Sequence, residues 1–462
     1  MQRNSIEWSS MSQSTSAESG MRTTPQEVLD AATRLSSRQR LVVFVAFLAM
    51  LFEGVEVTIA SFVFPEIVRD WNVTIEQVTF TVTAGVVGMA VGAVLAGAIA
   101  DRVGRKVTVV AGVVLFGATT VAMALTSSFQ SFAALRIVAC LGLGAAIPVV
   151  ISLVADSVPL HRRAQMVAMT FSGVAAGTIV SGFLSSAIIP AFGWPTLLVI
   201  AGTATVVFAP VIALTVPEPP ASLMARGAAA PRVRRSLALL APGCDLSEVD
   251  FRAVVPIDGM ERRLPLSGVF SRRMVWTTLL LWLMFFVGLG SAFLLANYLP
   301  LMTKSEGFTA AQGGVIVGTF GWGALTGQVS ISFAIKRFDR FKILGLLWLL
   351  GLVGVLLVST FTFGFAGYLI VAFGLGLTVG SASAALNATG ALAYPSAMRA
   401  TGVGWANAAG RAGTLLSGLL GGAMLGAGWS ISHIIGSLAA PMIIGIVAVL
   451  ILRIVSLRQI VT

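Results

Sequence analysis

Twelve apolar runs of about 20 residues alternate with short polar segments along the chain, each run long enough to cross a bilayer as a helix. They fall near 41–62, 78–100, 106–126, 131–154, 164–188, 195–216, 274–298, 310–334, 342–362, 364–391, 401–425 and 433–456. A polar stretch from Pro217 to Arg273, opening with Pro217, Pro219 and Pro220, separates the sixth run from the seventh. The pattern predicts an all-α membrane protein of twelve transmembrane helices in two six-helix bundles. The bundles occupy 41–216 and 274–456, with a cytoplasmic N-terminal segment at 1–40, a central loop at 217–273 and a tail at 457–462. The Ser-rich segment before Thr23 is expected to be disordered, and Met11 and Met21 are alternative starts. From Pro25 to Arg40, Val28, Leu29, Ala32 and Leu35 share one helical face, which fits a short interfacial helix as well as a solvated leader.

Composition closes off other classes. Hydrophobic residues make up 56% of the 462 and charged residues only 11%, with a mean hydropathy of +0.93. A soluble exterior needs far more charge, so soluble enzymes, disordered chains, coiled coils and collagen are excluded. The net charge of +11 does not indicate nucleic acid, because the basic residues sit in short loops where they set topology. Arg34, Arg38, Arg40, Arg102, Arg105, Lys106, Arg162 and Arg163 fall on one side. Nine arginines from Arg226 to Arg273 join them, with Lys336, Arg337, Arg340, Lys342, Arg399, Arg453 and Arg458. The opposite loops hold only Arg69 and Lys304. Both termini and the central loop are therefore expected in the cytoplasm, in a multi-pass protein of the cell (inner) membrane. Trp71, Trp194 and Trp429 lie near the outer ends of spans and are expected to anchor at headgroup level. Two cysteines, Cys140 in an apolar run and Cys244 in a polar loop, exclude a disulfide framework, and the first forty residues lack the apolar core of a cleaved signal.

Six plus six spans imply an internal repeat. The loop after the second span reads Gly97-Ala-Ile-Ala-Asp101-Arg102-Val-Gly104-Arg105-Lys106, and that after the eighth is a degraded copy around Lys336, Arg337, Asp339 and Arg340. Gly97 permits close helix approach and Gly104 a tight turn. Asp101 is placed to cap a neighbouring helix, while Arg102 and Arg105 reach an acid such as Asp156, forming a latch that opens and closes. This loop resembles the signature of the major facilitator superfamily, and the likeness runs from about Leu41 to Arg458. It implies two bundles around a central cavity, working by alternating access.

Charges inside the spans are few and mark function by default. Glu53 and Glu56 stand three residues apart on the first span, Arg136 on the fourth with Asp156 at its inner end, and Arg411 on the eleventh. A Glu56–Arg136 pair lowers the cost of both ions and leaves Glu53 poised for a proton. Arg411 has no acid in its own half and is a natural bidentate counter-ion for a carboxylate, or else a structural partner of Glu53 or Glu56 across the bundles.

The surrounding motifs narrow the resemblance. Phe52-Glu53-Gly54-Val55-Glu56 is similar to the D-G-x-D of the aromatic acid:proton symporter family, with glutamates for aspartates. The run from Arg136 to Pro148 resembles that family's fourth span, although Cys140 and Val149 stand where Gly and Asn are usual. Asn297-Tyr298-Leu299-Pro300 resembles its N-W-L-P, and Tyr394 to Asn407, continuing through Gly410-Arg411, is the closest stretch. The resemblance implies proton-driven uptake of an aromatic carboxylate such as a hydroxybenzoate. Glu53 and Glu56 then serve proton coupling and Arg136 and Arg411 anion binding. Gly97, Asp101, Arg102, Gly104, Arg105, Lys106, Asp156 and Arg399 form the cytoplasmic gate. Trp322, Trp405, Phe320 and Tyr298 are candidates for stacking on a ring, and Asn297, Gln328, Asn387 and Asn407 for its hydroxyls. The partners expected are a small organic acid, protons and the bilayer, with no nucleic acid and no cofactor beside the proton gradient; the monomer is expected to suffice. Three rivals remain: a transporter of another organic anion or small solute on the same fold, a drug:proton antiporter, against which stands Thr178 where exporters carry proline, and a non-transporting receptor. An enzyme is not expected, since P-loop and zinc signatures are absent and His161 and His433 lie near loops.

Overall fold

Residues 24–32, 34–242, 244, 246, 249, 251, 270–271, 274–334, 337–394 and 396–461 are described by a computed structural model. Their helices are α1 (Pro25–Asp30), α2 (Ser37–Trp71), α3 (Ile75–Val103), α4 (Arg105–Ala124), α5 (Phe129–Ala155) and α6 (Leu160–Thr215). The central loop contributes α7 (Pro220–Ala225) and α8 (Ala230–Leu240). The second half holds α9 (Val275–Ser305), α10 (Ala310–Ala334), α11 (Arg340–Thr360), α12 (Phe365–Leu375), α13 (Ala382–Ala393), α14 (Ser396–Gly426), α15 (Ile431–Ser437) and α16 (Ala439–Val461).

Among the described residues nine helices are long and apolar enough to cross a membrane. They account for ten of the twelve predicted spans, because α6 contains the fifth and the sixth. Gly193, at a φ of 79°, bends the chain between them without a loop. The remaining two, α10 and α14, are present at the predicted places. Glycine and threonine dilute their apolar side chains, as do Arg411 and Asn407 in α14. The tenth span is not a plain helix: α12 and α13 join through a π-turn at Gly376–Gly380, seated against the backbone of α10 at Phe320.

Local chemistry sets the helix ends. Ser36 and Thr74 each open a capping box, with Gln39 and Gln77 reaching back to the cap amide. The degraded loop copy caps its own helix, Asp339 accepting from the Phe341 amide at 2.7 Å. The N-terminal helix stops at Asp30, short of the Arg40 end the pattern allowed, and leaves Ala32 and Leu35 outside it. Val28 and Leu29 pack into the protein core, and Asp30 accepts from the Leu160 amide at 2.7 Å, so α1 docks on the start of α6. The residues before Thr24 lie outside those described.

Packing is unequal at the two ends of the molecule. One face carries the arginine-rich loops and α7–α8; the far face carries Arg69, Trp194 and Lys304. One hydrophobic core runs across both halves: near the far face it joins Ile59, Val63, Ile67 and Leu197 to Leu295 and Phe320, and through Leu281 and Leu452 it continues down the second half. At the arginine-rich face a second core, with Val113, Leu153, Ile212 and Leu237, stays within the first half and the central loop.

Helices α3 and α14, one from each half, show the same divergence. Near the far face, a Cβ on Gly422 would collide with Thr79, and one on Gly426 would lie 3.0 Å from the Glu76 carboxylate. Gly97 lies 18 residues beyond Thr79 on α3, and Gly404 18 residues before Gly422 on α14. Eighteen residues are five full helical turns, so these two occupy the same helix faces at the other end. A Cβ on either meets nothing within 4 Å among the described residues. The halves touch at the far face and part at the arginine-rich one.

Candidate functional site

The intramembrane charges divide unequally: Glu53, Glu56 and Arg136 belong to the first half and Arg411 to the second. Glu53 and Glu56 are both buried on α2, yet their carboxylates are handled differently. Glu56 turns into its own bundle, accepting from the Thr120 hydroxyl of α4 at 2.7 Å and from Thr205 of α6 at 3.4 Å. Arg136 of α5 does not bond that carboxylate: its Nη1 donates to the Glu56 main-chain carbonyl at 3.2 Å. The direct pair foreseen from the sequence is thus replaced by a backbone contact, because two hydroxyls already hold the carboxylate. Glu53 keeps its Oε2 without a hydrogen-bond partner among the described residues, and the charge acting on it is Arg411 from the other half.

Gly54, between these acids, lets the bundle close tightly. A Cβ there would fall 2.9 Å from Cα of Val174 in α6. One turn on, the Thr58 and Thr178 hydroxyls meet at 3.2 Å. Thr178 therefore joins α6 to α2 at the position where exporters carry proline.

Arg411 sits on the α14 side that faces the first half, sharing it with Gly404, Asn407 and Gly422 by helical register. It is half-buried and makes no hydrogen bond or close ion pair from its guanidinium among the described residues. One turn before it, Asn407 donates from Nδ2 to Oδ1 of Asn387 on α13 at 3.0 Å. Trp405 stacks on Trp282 of α9, with ring centroids 5.9 Å apart, and Gln328 is half-buried with partners of its own.

Other candidates stand apart. Tyr298 is buried: it donates to the Gly418 carbonyl at 2.9 Å and is hydrogen-bonded by Thr79, tying α9, α14 and α3 where the halves touch. Asn297 donates to the Phe293 carbonyl at 3.0 Å within α9. Trp322 is 50% exposed on a strip of α10 shared with Val329 and Phe333, away from buried Phe320. An apolar strip of that kind meets lipid.

At the arginine-rich face, Arg105 pairs with Asp156 and donates to the Ser152 carbonyl at 3.2 Å. Gly104, at a φ of 111°, makes the turn between α3 and α4, while Asp101 and Arg102 are exposed. The capping role expected of Asp101 belongs instead to Glu218 from the central loop. Its Oε1 and Oε2 accept from the Arg105 and Lys106 amides at 2.7 and 3.0 Å, closing the α4 N-terminus. Arg226 closes the other helix end, donating to the Val103 carbonyl at 2.6 Å. Sequence reasoning missed both residues. The available signal was a lone acid among prolines, Pro217-Glu218-Pro219-Pro220. Glu218→Ala is expected to cost about 1–3 kcal/mol, as loss of a doubly bonded cap does, visible as a lower melting temperature in detergent. The side chain of Arg399 lies outside the described residues.

The far face has its own cluster. Lys304 Nζ donates to Glu66 Oε1 at 3.0 Å and to the Pro65 carbonyl at 3.3 Å, linking α9 to α2 across the halves. Arg69 holds the other Glu66 oxygen at 2.9 Å and bonds Asp70 at 3.0 Å, and Asp70 accepts from the Trp194 indole at 3.1 Å. The two basic residues assigned to the far side thus converge on one acid. Trp71 and Trp194 pack edge-on at 5.5 Å, joined by Phe132. They are internal wedges rather than the headgroup anchors foreseen, because the bend at Gly193 turns Trp194 onto α2. Trp429 alone of the three is exposed.

Comparison with known proteins accords with this architecture. The chain is 32% identical over 425 residues to the 4-hydroxybenzoate transporter of Pseudomonas aeruginosa, spanning 92% of this chain and 95% of that one. To the gallate transporter of Pseudomonas putida it is 30% identical over 418 residues, 90% and 92% of the two chains. A solved D-xylose–proton symporter superposes with a TM-score of 0.65 at 20% identity, over 89% of this chain and 96% of that one. Residues 43–417 match the family model of the Major Facilitator Superfamily. With two helical bundles that touch at one face and part at the other, this membrane protein belongs to the Major Facilitator Superfamily.

Proposed function

We propose that the protein is a proton-coupled symporter that imports an aromatic carboxylate of the hydroxybenzoate type by alternating access. The arginine-rich face is cytoplasmic, in keeping with the distribution of positive charge, and the membrane is the inner membrane of a bacterial cell. On that orientation the structure is the inward-facing state, closed outside by the Glu66–Lys304 link and the glycine contacts.

The observation that carries the reading is the pair Glu53 and Arg411. Among the described residues, a buried carboxylate oxygen lacks a donor, and the positive charge acting on that carboxylate is a guanidinium of the other half without a close counter-ion. Either charge left unmatched in a closed cavity is costly. A substrate carboxylate settles Arg411 through the bidentate geometry of guanidinium. A proton then settles Glu53, which has lost the positive charge that balanced it. With both present, the halves close over a neutral site and rock to the other side; with neither, Glu53 and Arg411 balance each other and the empty carrier returns. With only one, the site holds a net charge and the transition is penalised. That rule couples substrate to proton. Glu56, satisfied by Thr120 and Thr205, positions α2 against α4 and α6. No cofactor takes part, and the relatives named 4-hydroxybenzoate and gallate transporters support the substrate class.

The test is uptake of labelled 4-hydroxybenzoate into proteoliposomes with and without an inward proton gradient, in competition with benzoates, gallate, xylose and cationic dyes. Gradient-dependent accumulation blocked by aromatic acids alone is expected. Accumulation without a gradient, or flux of another solute in its place, overturns the reading.

A further inference from the structure

The asparagines on α13 and α14 form a unit that neither bundle needs for closing against the other. Asn407 spends both amide protons, one on Asn387 Oδ1 and one on the Val403 carbonyl, each at 3.0 Å. Asn387 spends one proton on the Ser383 carbonyl at 2.9 Å. Among the described residues, what remains is the Asn407 carbonyl oxygen, an acceptor, and the second amide proton of Asn387, a donor. A hydroxyl both donates and accepts, and is the small group that this remainder complements. Both side chains are half-buried, and these hydrogen bonds stay within α13 and α14.

Register sets the asparagines relative to Arg411. Asn407 precedes Arg411 by four residues on the same face of α14, a rise of about 6 Å. A benzoate whose carboxylate engages Arg411 presents the opposite end of its ring one turn away. Groups at the ortho and meta positions lie nearer the carboxylate, off that line.

We propose that Asn387 and Asn407 together read a hydroxyl para to the substrate carboxylate and so set specificity for 4-hydroxybenzoate over benzoate. This rests on the reading of the protein as an aromatic-acid transporter. The competing role is structural, since paired amides also hold transmembrane helices together. Structural glue predicts that its loss affects every substrate alike; a specificity element predicts loss of preference.

The experiment compares half-saturation constants for 4-hydroxybenzoate, 3-hydroxybenzoate, benzoate and 4-fluorobenzoate in proteoliposomes of the full chain, wild type, Asn387→Ala and Asn407→Ala. The wild type is expected to favour 4-hydroxybenzoate over benzoate by about tenfold or more, since a site built to hydrogen-bond a hydroxyl rejects its analogue. In each variant the ratio falls to within about threefold, in the range of apolar discrimination, while benzoate uptake persists. A preserved ratio in the variants, or an equal loss of all substrates, overturns the proposal. The 4-fluorobenzoate arm needs no variant: fluorine has a similar size but no proton to give, so competition equal to that of 4-hydroxybenzoate also overturns it. If the wild type moves none of the four acids, the transport reading itself fails, an outcome distinct from the others.

Discussion

Glu53→Gln abolishes accumulation driven by a proton gradient while leaving substrate exchange in place. Glutamine keeps the shape and polarity of a protonated glutamate, so the substrate-loaded carrier still closes and rocks. It cannot return empty with Arg411 unbalanced, nor release a proton. Gradient-driven uptake is expected to fall by about two orders of magnitude, the scale of removing a positioned proton-transfer group. Counterflow of labelled against unlabelled substrate is expected to change by less than about threefold, since exchange omits the empty return. Glu56→Gln is the internal comparison. It disturbs the Thr120 and Thr205 hydrogen bonds and is expected to cost about 1–2 kcal/mol of stability, read as a lower melting temperature, with coupling retained. Equal loss of exchange and accumulation in Glu53→Gln would take the proton away from Glu53.

The second large effect is mechanical. Thr79→Cys with Gly422→Cys, made on a Cys244→Ser background, is expected to cross-link under oxidation and to stop transport by at least about tenfold. The pair meets where the halves touch, and a disulfide there requires Cβ atoms within about 4.5 Å. A reductant restores transport. Gly97→Cys with Gly404→Cys occupies the same helix faces at the open end and is expected to cross-link only when the carrier faces outward. Substrate and gradient should then change the yields of the two pairs in opposite directions. Parallel changes would show that the two ends do not alternate.

These expectations depend on features of unequal visibility in the sequence. The spans are legible because a bilayer imposes length and apolarity on each segment independently, and the loop charges are legible because topology acts locally. The loop from Gly97 to Lys106 reads for the same reason, its residues being neighbours in the chain. Glu218 was hidden: its carboxylate serves amides 113 and 112 residues away, and nothing near it announces a partner. Glu56 was visible as an intramembrane acid but not the hydroxyls that hold it, at separations of 64 and 149 residues. Trp194 looked like a headgroup anchor by position alone. A single glycine bend, not its distance from the membrane surface, directs it inward.

The sequence by itself determined the solvent this chain lives in, the number of its spans, and the small set of charges whose burial demands a purpose. Each follows from the cost of placing one residue in hydrocarbon, a cost that belongs to the residue and its immediate neighbours. The tertiary structure decided which of the two glutamates is satisfied and which faces Arg411. It also decided which end of the molecule is shut and that a central-loop acid clamps the turn at Gly104. Those outcomes depend on distances between helices far apart in the chain, where glycine contacts and hydroxyl donors settle competition among partners of similar chemistry.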